Sequence, residues 1–172
     1  MIFDDNGYSK MLPALTQTEK IIAKILTDGI EKAGVPTLEI AHRIKDEDSA
    51  VEKIKRKPDN YNSIGELTDL IGFRIICYFS DDVDKLAAAV EEMFVIDRAN
   101  SVDKRQIISP TAFGYLSLHY ICSLPESAAY PKELCNIKFE IQMRSSLQHT
   151  WAEIEHDLGY KATNPCLRYR AR

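Results

Sequence analysis

The chain lacks any apolar run approaching the roughly 20 residues that a bilayer-crossing helix needs, so no membrane span is expected. Its N-terminal stretch, MIFDDNGYSK, is acidic and has no apolar core of the kind a secretory signal carries. Cysteine is scarce. Cys77, Cys122, Cys135 and Cys166 are far apart and form no C-x-x-C pair. Cys77 and Cys122 also fall within apolar, strand-like runs, so buried thiols in a reducing cytoplasm are expected rather than disulfides or a metal site. There is no G-x-x-x-x-G-K-S/T loop and no G-x-G-x-x-G turn, which leaves P-loop and Rossmann sites without support. No internal repeat or low-complexity segment is visible. Excess charge is small too: the net charge of -4 disfavours a general nucleic-acid-coating role.

What is present is ordinary for a globular protein. The 172 residues are 45% hydrophobic and 28% charged, enough for one domain with a real core. The organisation expected is a single domain over residues 1–172, with an N-terminal helix at about 14–34, a core at about 38–161 and a short tail at 162–172. In the first helix Leu15, Ile22, Ile25, Leu26, Ile30 and Ala33 form one stripe, and Gly34 with Pro36 ends it. Leu38 to Lys45 reads as a short strand or extended segment, and Ser49 to Lys57 as a short helix starting near Ser49 or Asp48. The run from Arg43 to Lys57 holds six basic residues among four acidic ones, which by itself reads as a solvated charged face. Ile64 to Asp69 allows one helical turn. Leu70 to Phe79, LIGFRIICYF, is the strongest strand, interrupted by Gly72 and Arg74. Asp81 to Phe94 is an amphipathic helix, Phe94 to Arg98 a short strand, and Asn100 to Phe113 a mobile connector. Tyr115 to Leu124 is a second strong strand, with Tyr115, Ser117 and His119 on one face. Pro125 to Asn136 reads as a loop.

The stretch KFEIQMRSSLQHTWAEIEHDLGYK, residues 138–161, changes period midway. Phe139, Ile141 and Met143 alternate with Glu140, Gln142 and Arg144, as in a strand with one face in the core. Leu147, Trp151, Ile154 and Leu158 then recur at helical spacing, with Ser145 or Ser146 as N-cap and Gly159 as stop. This seam, Trp151 included, is expected to be core. Glu140, Gln142 and Arg144 cannot face a dry core without partners, so they are solvated or line a site. The order of elements predicts a mixed α+β layer structure.

Asp69, Arg74, Tyr115, Ser117, His119, Glu140, Gln142 and Arg144 all sit on or beside strands. Two carboxylates among basic groups suit a magnesium ion and phosphate oxygens, since Mg²⁺ takes one or two carboxylates and leaves other positions to phosphates. Nearby cations would offset the charge that develops as a phosphoryl or pyrophosphoryl group moves. Blander readings stand beside these: Asp69 as a turn or cap residue, Arg74 as an ion-pair partner, His119 as a satisfied core or surface histidine. His156-Asp157 has no second histidine-aspartate set at metal-ligand spacing.

Four motifs in order give these groups a context: Arg43, Lys45, Ser49 and Lys53; D-x-x-G-x-R at Asp69, Gly72 and Arg74; G-Y-x-S-x-H at Gly114, Tyr115, Ser117 and His119; and E-I-Q-x-R at Glu140, Gln142 and Arg144, followed by Trp151, Glu155, His156, Tyr160 and Lys161. Over about residues 40–161 the chain resembles the synthetase domain of RelA/SpoT-type alarmone synthetases, in particular the small stand-alone kind. The resemblance implies a mixed β-sheet flanked by helices, of the polymerase-β-like nucleotidyltransferase fold. It implies transfer of pyrophosphate from ATP to the 3′-hydroxyl of GDP or GTP, giving (p)ppGpp and AMP. By position, Asp69 would hold Mg²⁺ with Glu140 as second ligand or as base. Arg43 and Arg74 would sandwich the adenine, and Lys45, Ser49 and Lys53 would hold the ATP phosphates. Tyr115 would stack on the acceptor guanine, with His119, Gln142, His149 and Glu155 around the acceptor.

Two departures fall on the acceptor side. Ser109 to Phe113 has no lysine before the G-Y-x-S-x-H tyrosine, and Leu116 stands where relatives often have a polar or basic residue. They leave open a different 3′-hydroxyl acceptor, such as a tRNA end or an adenosine nucleotide, and a module that binds nucleotides without catalysis is a third reading. Relatives usually continue with further helices after the Tyr-Lys pair, and CLRYRAR at 166–172 matches none of them, so a truncated form is one expectation. No hydrolase domain is expected at this length. Small relatives often self-associate, and the helix at 14–34 has a stripe that could pack on its own domain or on a second copy in a homo-oligomer.

Overall fold

A computed structural model describes residues 7–105, 117–127 and 129–161, the side chains of 155–161 excepted. In chain order the elements are α1 (Gly7–Ala33), β1 (Thr37–Ile44), α2 (Glu47–Arg56), a 3-10 turn (Ile64–Glu66), β2 (Ile71–Cys77), α3 (Ser80–Met93), β3 (Val95–Ile96), β4 (Val102–Asp103), β5 (Leu118–Ser123), α4 (Lys132–Cys135), β6 (Phe139–Ser145) and α5 (Ser146–Lys161). The expected α+β architecture is therefore present. Among the described residues the strands form one sheet in the order β1-β2-β6-β5-β3, with β4 also pairing β5. Only β2 and β6 run parallel; the other pairs are antiparallel, so the sheet is mixed.

Strand alternation divides the sheet into a dry and a polar face. Rows such as Ile71-Phe139-Cys122 and Ile75-Met143-Leu118 run across β2, β6 and β5 on the dry side. All six are buried, beneath α1 and α3. Phe139 meets Phe73 and Phe94 edge-on, at centroid distances of 6.3 and 5.1 Å, the arrangement the ring quadrupole favours. α1 contributes Leu15, Ile22, Leu26 and Ile30, and α3 contributes Val83, Leu86, Ala87 and Val90. The two helices approach closely at Gly29, where a Cβ would lie 2.1 Å from Met93 Sδ.

Several boundaries differ from the sequence reading. α1 starts at Gly7, seven residues earlier than the expected Ala14, and contains Pro13. The apolar stripe read from the sequence begins at Leu15, so the turns before it gave no periodic signal. Tyr8 holds the extra turns in place: it is buried, and its hydroxyl donates to the Lys45 carbonyl at 2.7 Å. α2 is capped by Asp46, not by Asp48 or Ser49, and Asp46 Oδ1 accepts from the Ser49 amide at 2.8 Å. The connector after Asn100 contains β4, and the segment after Pro125 contains the short α4. Residues 106–116 lie outside the described residues.

The largest correction concerns α5. Leu147, Trp151 and Ile154 are 78%, 42% and 45% exposed, so the apolar seam faces outward. The reason lies at the strand-helix junction. Ser145 Oγ accepts from the Gln148 amide at 3.4 Å, and Gln148 Oε1 accepts from the Ser145 amide at 2.9 Å. This reciprocal cap fixes the turn so that Ala152, buried at 4%, faces inward instead. The helix also passes the expected stop at Gly159 and reaches Lys161. Cys77, Cys122 and Cys135 are buried free thiols, as expected; Cys166 lies outside the described residues.

Candidate active site

The polar face is built from two rows of neighbours. Arg43 (β1) pairs Gly72 (β2), which pairs Glu140 (β6), which pairs Ile121 (β5). One step on, Ala41, Arg74, Gln142 and His119 form the second row. Residues two apart on a strand share a face, so Arg43, Arg74, Glu140, Gln142 and His119 stand on the same side. Arg43 and Arg74 are diagonal neighbours across β1 and β2. Such positions lie roughly 7–8 Å apart, about twice the 3.5 Å contact distance of a stacked ring. Diagonal positions of this kind are a spacing from which two guanidinium planes can bracket a planar base. Gly72 leaves the floor bare: a Cβ on it would meet nothing within 4 Å.

At the β1 end, Lys45 and Lys53 each place Nζ 2.8 Å from Asp69 Oδ2. Lys53 also lies 5.4 Å from the centroid of the Tyr61 ring, a cation–π distance. Burial acts to raise the Asp69 carboxyl, but hydrogen bonds from Lys45 and Lys53 and their charges outweigh it and hold it below its ordinary value. The other oxygen, Oδ1, is buried and has no hydrogen-bond partner among the described residues. A cavity of about 210 Å³ opens beside this cluster, lined by Arg43, Lys45, Asp46, Ser49, Lys53 and Arg56 among others. Four expected donor residues thus line one cavity, and Arg56 joins them unforeseen. Ser49 has a prior engagement, since its hydroxyl donates to Asp46 Oδ2 at 2.9 Å. With Asp46 as cap and Glu47 and Asp48 in the first turn, the α2 N-terminus is already answered by negative charge. The positive charge facing this cavity therefore comes from the lysines and arginines rather than from the helix end.

Glu140 occupies the middle of the sheet. His119 Nδ1 is 2.7 Å from its Oε1, and Gln142 Nε2 donates to its Oε2 at 2.9 Å. Ser117 Oγ lies 2.7 Å from His119 Nε2. Burial pushes the Glu140 carboxyl up; the hydrogen bond and charge of His119, with the Gln142 amide, more than reverse this and leave it lowered. The charge of Asp69 also acts on Glu140, in the raising direction. Among the described residues no group of three or more His, Cys, Asp and Glu side chains could hold a metal. A cation at Asp69 Oδ1 would thus draw further ligands from a bound molecule, as Mg²⁺ does with phosphates. The buried, unsatisfied oxygen of Asp69 fits such an ion.

α5 covers the end of this face. Arg144 shares the parity of Glu140 and Gln142 but is only 1% exposed, so it is neither solvated nor open to a ligand. Glu153 Oε1 sits 3.7 Å from Arg74 Nη1, 3.9 Å from Arg144 Nη2 and 3.7 Å from His149 Nδ1. Burial, followed by the Arg144 charge, lowers the His149 pKa below its ordinary value. Tyr115 and the Glu155 side chain lie outside the described residues. Sequence reasoning missed Tyr61, Arg56 and Glu153. Arg56 was visible within the basic run, whereas Tyr61 and Glu153 gave no signal before their neighbours were known.

In sequence and fold the chain is similar to known proteins of one family. The model of the region found in RelA/SpoT proteins matches residues 42–165. Over 123 residues the chain is 32% identical to the GTP pyrophosphokinase YjbM of Bacillus subtilis, covering 71% of this chain and 56% of YjbM. Over 125 residues it is 30% identical to the GTP pyrophosphokinase YwaC of the same organism, covering 71% and 58%. The chain thus spans a little over half the length of these curated relatives. Among solved structures, small alarmone synthetase 1 from B. subtilis superposes with a TM-score of 0.68 at 26% identity, over 91% of this chain and 80% of that one. The same synthetase bound to its product pppGpp gives a TM-score of 0.74 at 24% identity, over 94% and 84%.

Proposed function

The chain belongs to the RelA/SpoT family, and from that premise we propose that it is a GTP pyrophosphokinase, moving pyrophosphate from ATP to the 3′-hydroxyl of GDP or GTP in the cytoplasm. One observation carries the reading: Arg43, Arg74, Glu140, Gln142 and His119 share one sheet face, and Lys45 and Lys53 converge on Asp69 beside the cavity that Arg43 also lines. Relatives named for this activity support it.

In this mechanism Arg43 and Arg74 clasp the adenine, and an arginine plane can do so while staying charged. Lys45 and Lys53, assisted by Arg56, attract the triphosphate into the cavity beside Asp69. Asp69, through Oδ1, and Glu140 would hold Mg²⁺, which when bound neutralises charge on the β- and γ-phosphates. The acceptor lies toward His119, Gln142 and His149, with Tyr115 and Glu155 as its further contacts. Glu140 receives the proton of the 3′-hydroxyl. The hydroxyl oxygen bonds to the β-phosphorus, the bond to the α-phosphoryl oxygen breaks, and AMP leaves. The free hydroxyl is a weak nucleophile, so alignment and a positioned base supply much of the acceleration.

The test is AMP release from labelled ATP with GDP, GTP, an adenosine nucleotide or tRNA as acceptor. GDP or GTP should support turnover, and Asp69→Asn and Glu140→Gln should each abolish it without unfolding the chain. Turnover surviving both substitutions refutes the mechanism. Preference for tRNA or an adenosine nucleotide would move the assignment to that acceptor.

A further inference from the structure

Two hydrogen bonds from outside β1 hold the backbone of Lys45, which lies between the end of that strand and the cap of α2. Its amide donates to the Leu70 carbonyl at 2.8 Å, and its carbonyl accepts from the Tyr8 hydroxyl at 2.7 Å. Its ammonium reaches Asp69 Oδ2 at 2.8 Å. Tyr8 is only 8% exposed and sits in the first turn of α1, outside the region 42–165 that the RelA/SpoT model matches. We infer that Tyr8 is a positioning residue for the donor site, acting through Lys45. That role deepens the proposed function and rests on it for the nucleotide, though not for the Lys45–Asp69 contact.

Fastening α1 is the blander use of such a bond, and the place where the bond ends argues for more. Lysine carries its charge on a flexible four-carbon stem, so the arrival point of the ammonium depends on how firmly the backbone beneath it is held. The side chains of Lys45 and Asp69 are each 16% exposed, and the Lys45 turn is held at both of its backbone polar groups. The same turns of α1 also approach the segment that leads to Asp69. Met11 packs against the core, and a Cβ at Gly65, in the 3-10 turn that precedes Asp69, would lie 4.0 Å from Met11 Cε. The start of α1 thus stands behind both members of the ion pair. Without the Tyr8 hydroxyl, packing alone would hold the Lys45 carbonyl. The ammonium would then spend less time at Asp69 and at the cavity it lines.

The experiment uses the full chain and Tyr8→Phe, which removes the bond and keeps the ring. The net worth of a hydrogen bond corresponds to roughly 2- to 13-fold in an equilibrium constant, so calorimetric binding of a non-hydrolysable ATP analogue should weaken at least about threefold. KM for the acceptor should change less than about twofold. Val90→Ala, which truncates a fully buried residue of α3 on the dry face, should destabilise the fold at least as much and leave donor affinity unchanged. The second readout needs no nucleotide. The Lys45–Asp69 coupling, from urea unfolding of Lys45→Met, Asp69→Asn and the pair, should fall at least about twofold when Tyr8→Phe is added. A change in donor affinity below about threefold, an equal loss in Val90→Ala, an acceptor KM raised as far as the donor's dissociation constant, or a coupling that Tyr8→Phe leaves intact overturns the inference. An unsubstituted chain that binds no ATP analogue overturns the proposed function instead, and the coupling alone then decides whether Tyr8 positions Lys45.

Discussion

Gly72→Val separates what the fold needs from what the nucleotide needs. Gly72 stands between Arg43 and Glu140 in one row of the sheet. A Cβ there meets nothing within 4 Å, and among the described residues the glycine with positive φ is Gly34, so a side chain at 72 is unstrained. Glycine inside a strand gives up about 0.5–1 kcal/mol relative to residues with less backbone freedom. Valine is favoured on a pleated surface. The substitution should thus leave stability unchanged or raise it by up to about 1 kcal/mol, a midpoint gain of roughly 2–4 °C for a chain of this size. Binding should move the other way. If the donor base lies between the diagonal arginines, the available gap of roughly 7–8 Å holds one ring and little else. A branched side chain rising from its floor should weaken binding of a non-hydrolysable ATP analogue at least tenfold, about 1.4 kcal/mol. Gly72→Ala should fall between. Thermal or urea unfolding and calorimetric titration read the two effects on the same samples. A folded Gly72→Val protein with donor affinity within twofold of the original would refute the placement of the base, and destabilisation beyond about 1 kcal/mol would refute the open floor.

The Asp69–Lys53 pair should show a coupling of about 1–2 kcal/mol in a double-mutant cycle with Asp69→Asn and Lys53→Met, between an exposed pair and a fully buried charged hydrogen bond; under about 0.5 kcal/mol would contradict the 2.8 Å contact. The folded-state pKa values of Asp69 and Glu140 lie below their ordinary values of 3.8 and 4.5. Their stabilisation is therefore complete above those values and is lost as pH falls through the lower folded ones, so urea midpoints should hold at neutral pH and drop in acid, less steeply in Asp69→Asn. Tyr8→Phe removes the 2.7 Å bond to the Lys45 carbonyl and should cost about 0.5–1.5 kcal/mol of unfolding free energy; no change would mean the first turns of α1 are held by packing alone. Phe139→Ala, which empties a fully buried ring site against Phe73 and Phe94, should cost about 3–5 kcal/mol, and a loss under about 1 kcal/mol would show that the site collapses to fill the cavity.

The fold was legible wherever one physical signal dominated. LIGFRIICYF and KFEIQM have strand periodicity with one apolar face, and their burial follows it: Phe73, Ile75, Phe139, Ile141 and Met143 are buried, while Arg74, Glu140 and Gln142 are half-buried. Periodicity failed where two signals competed. In α1 the apolar stripe from Leu15 set the expected start, yet Tyr8 carries the helix back past Pro13. In α5 the apolar spacing of Leu147, Trp151 and Ile154 was real, but a hydrophobic stripe says only that a face seeks burial, not which neighbour supplies it. The Ser145–Gln148 cap fixed the helix orientation first, and the sheet received Ala152.

The site was legible to the level of parity and no further. Parity placed Arg74, His119, Glu140 and Gln142 on faces of their own strands, but strand order was needed to make those faces one. That order brings Glu140 to the middle strand, next to Gly72 on one side and Ile121 on the other. The remaining content lies in contacts among polar side chains, which sequence spacing does not encode. Nothing in the spacing of residues 45, 53 and 69 says that two ammonium groups converge on one carboxylate oxygen and leave the other bare. That asymmetry has a chemical consequence. The lysines expected to meet the triphosphate are also the counter-ions of Asp69, so a phosphate approaching them competes for the same protons that screen the carboxylate. If the lysines turned toward a phosphate, Asp69 would lose their screening and attract a cation more strongly, so under the proposed function donor and metal would favour one another's arrival through residues already in contact.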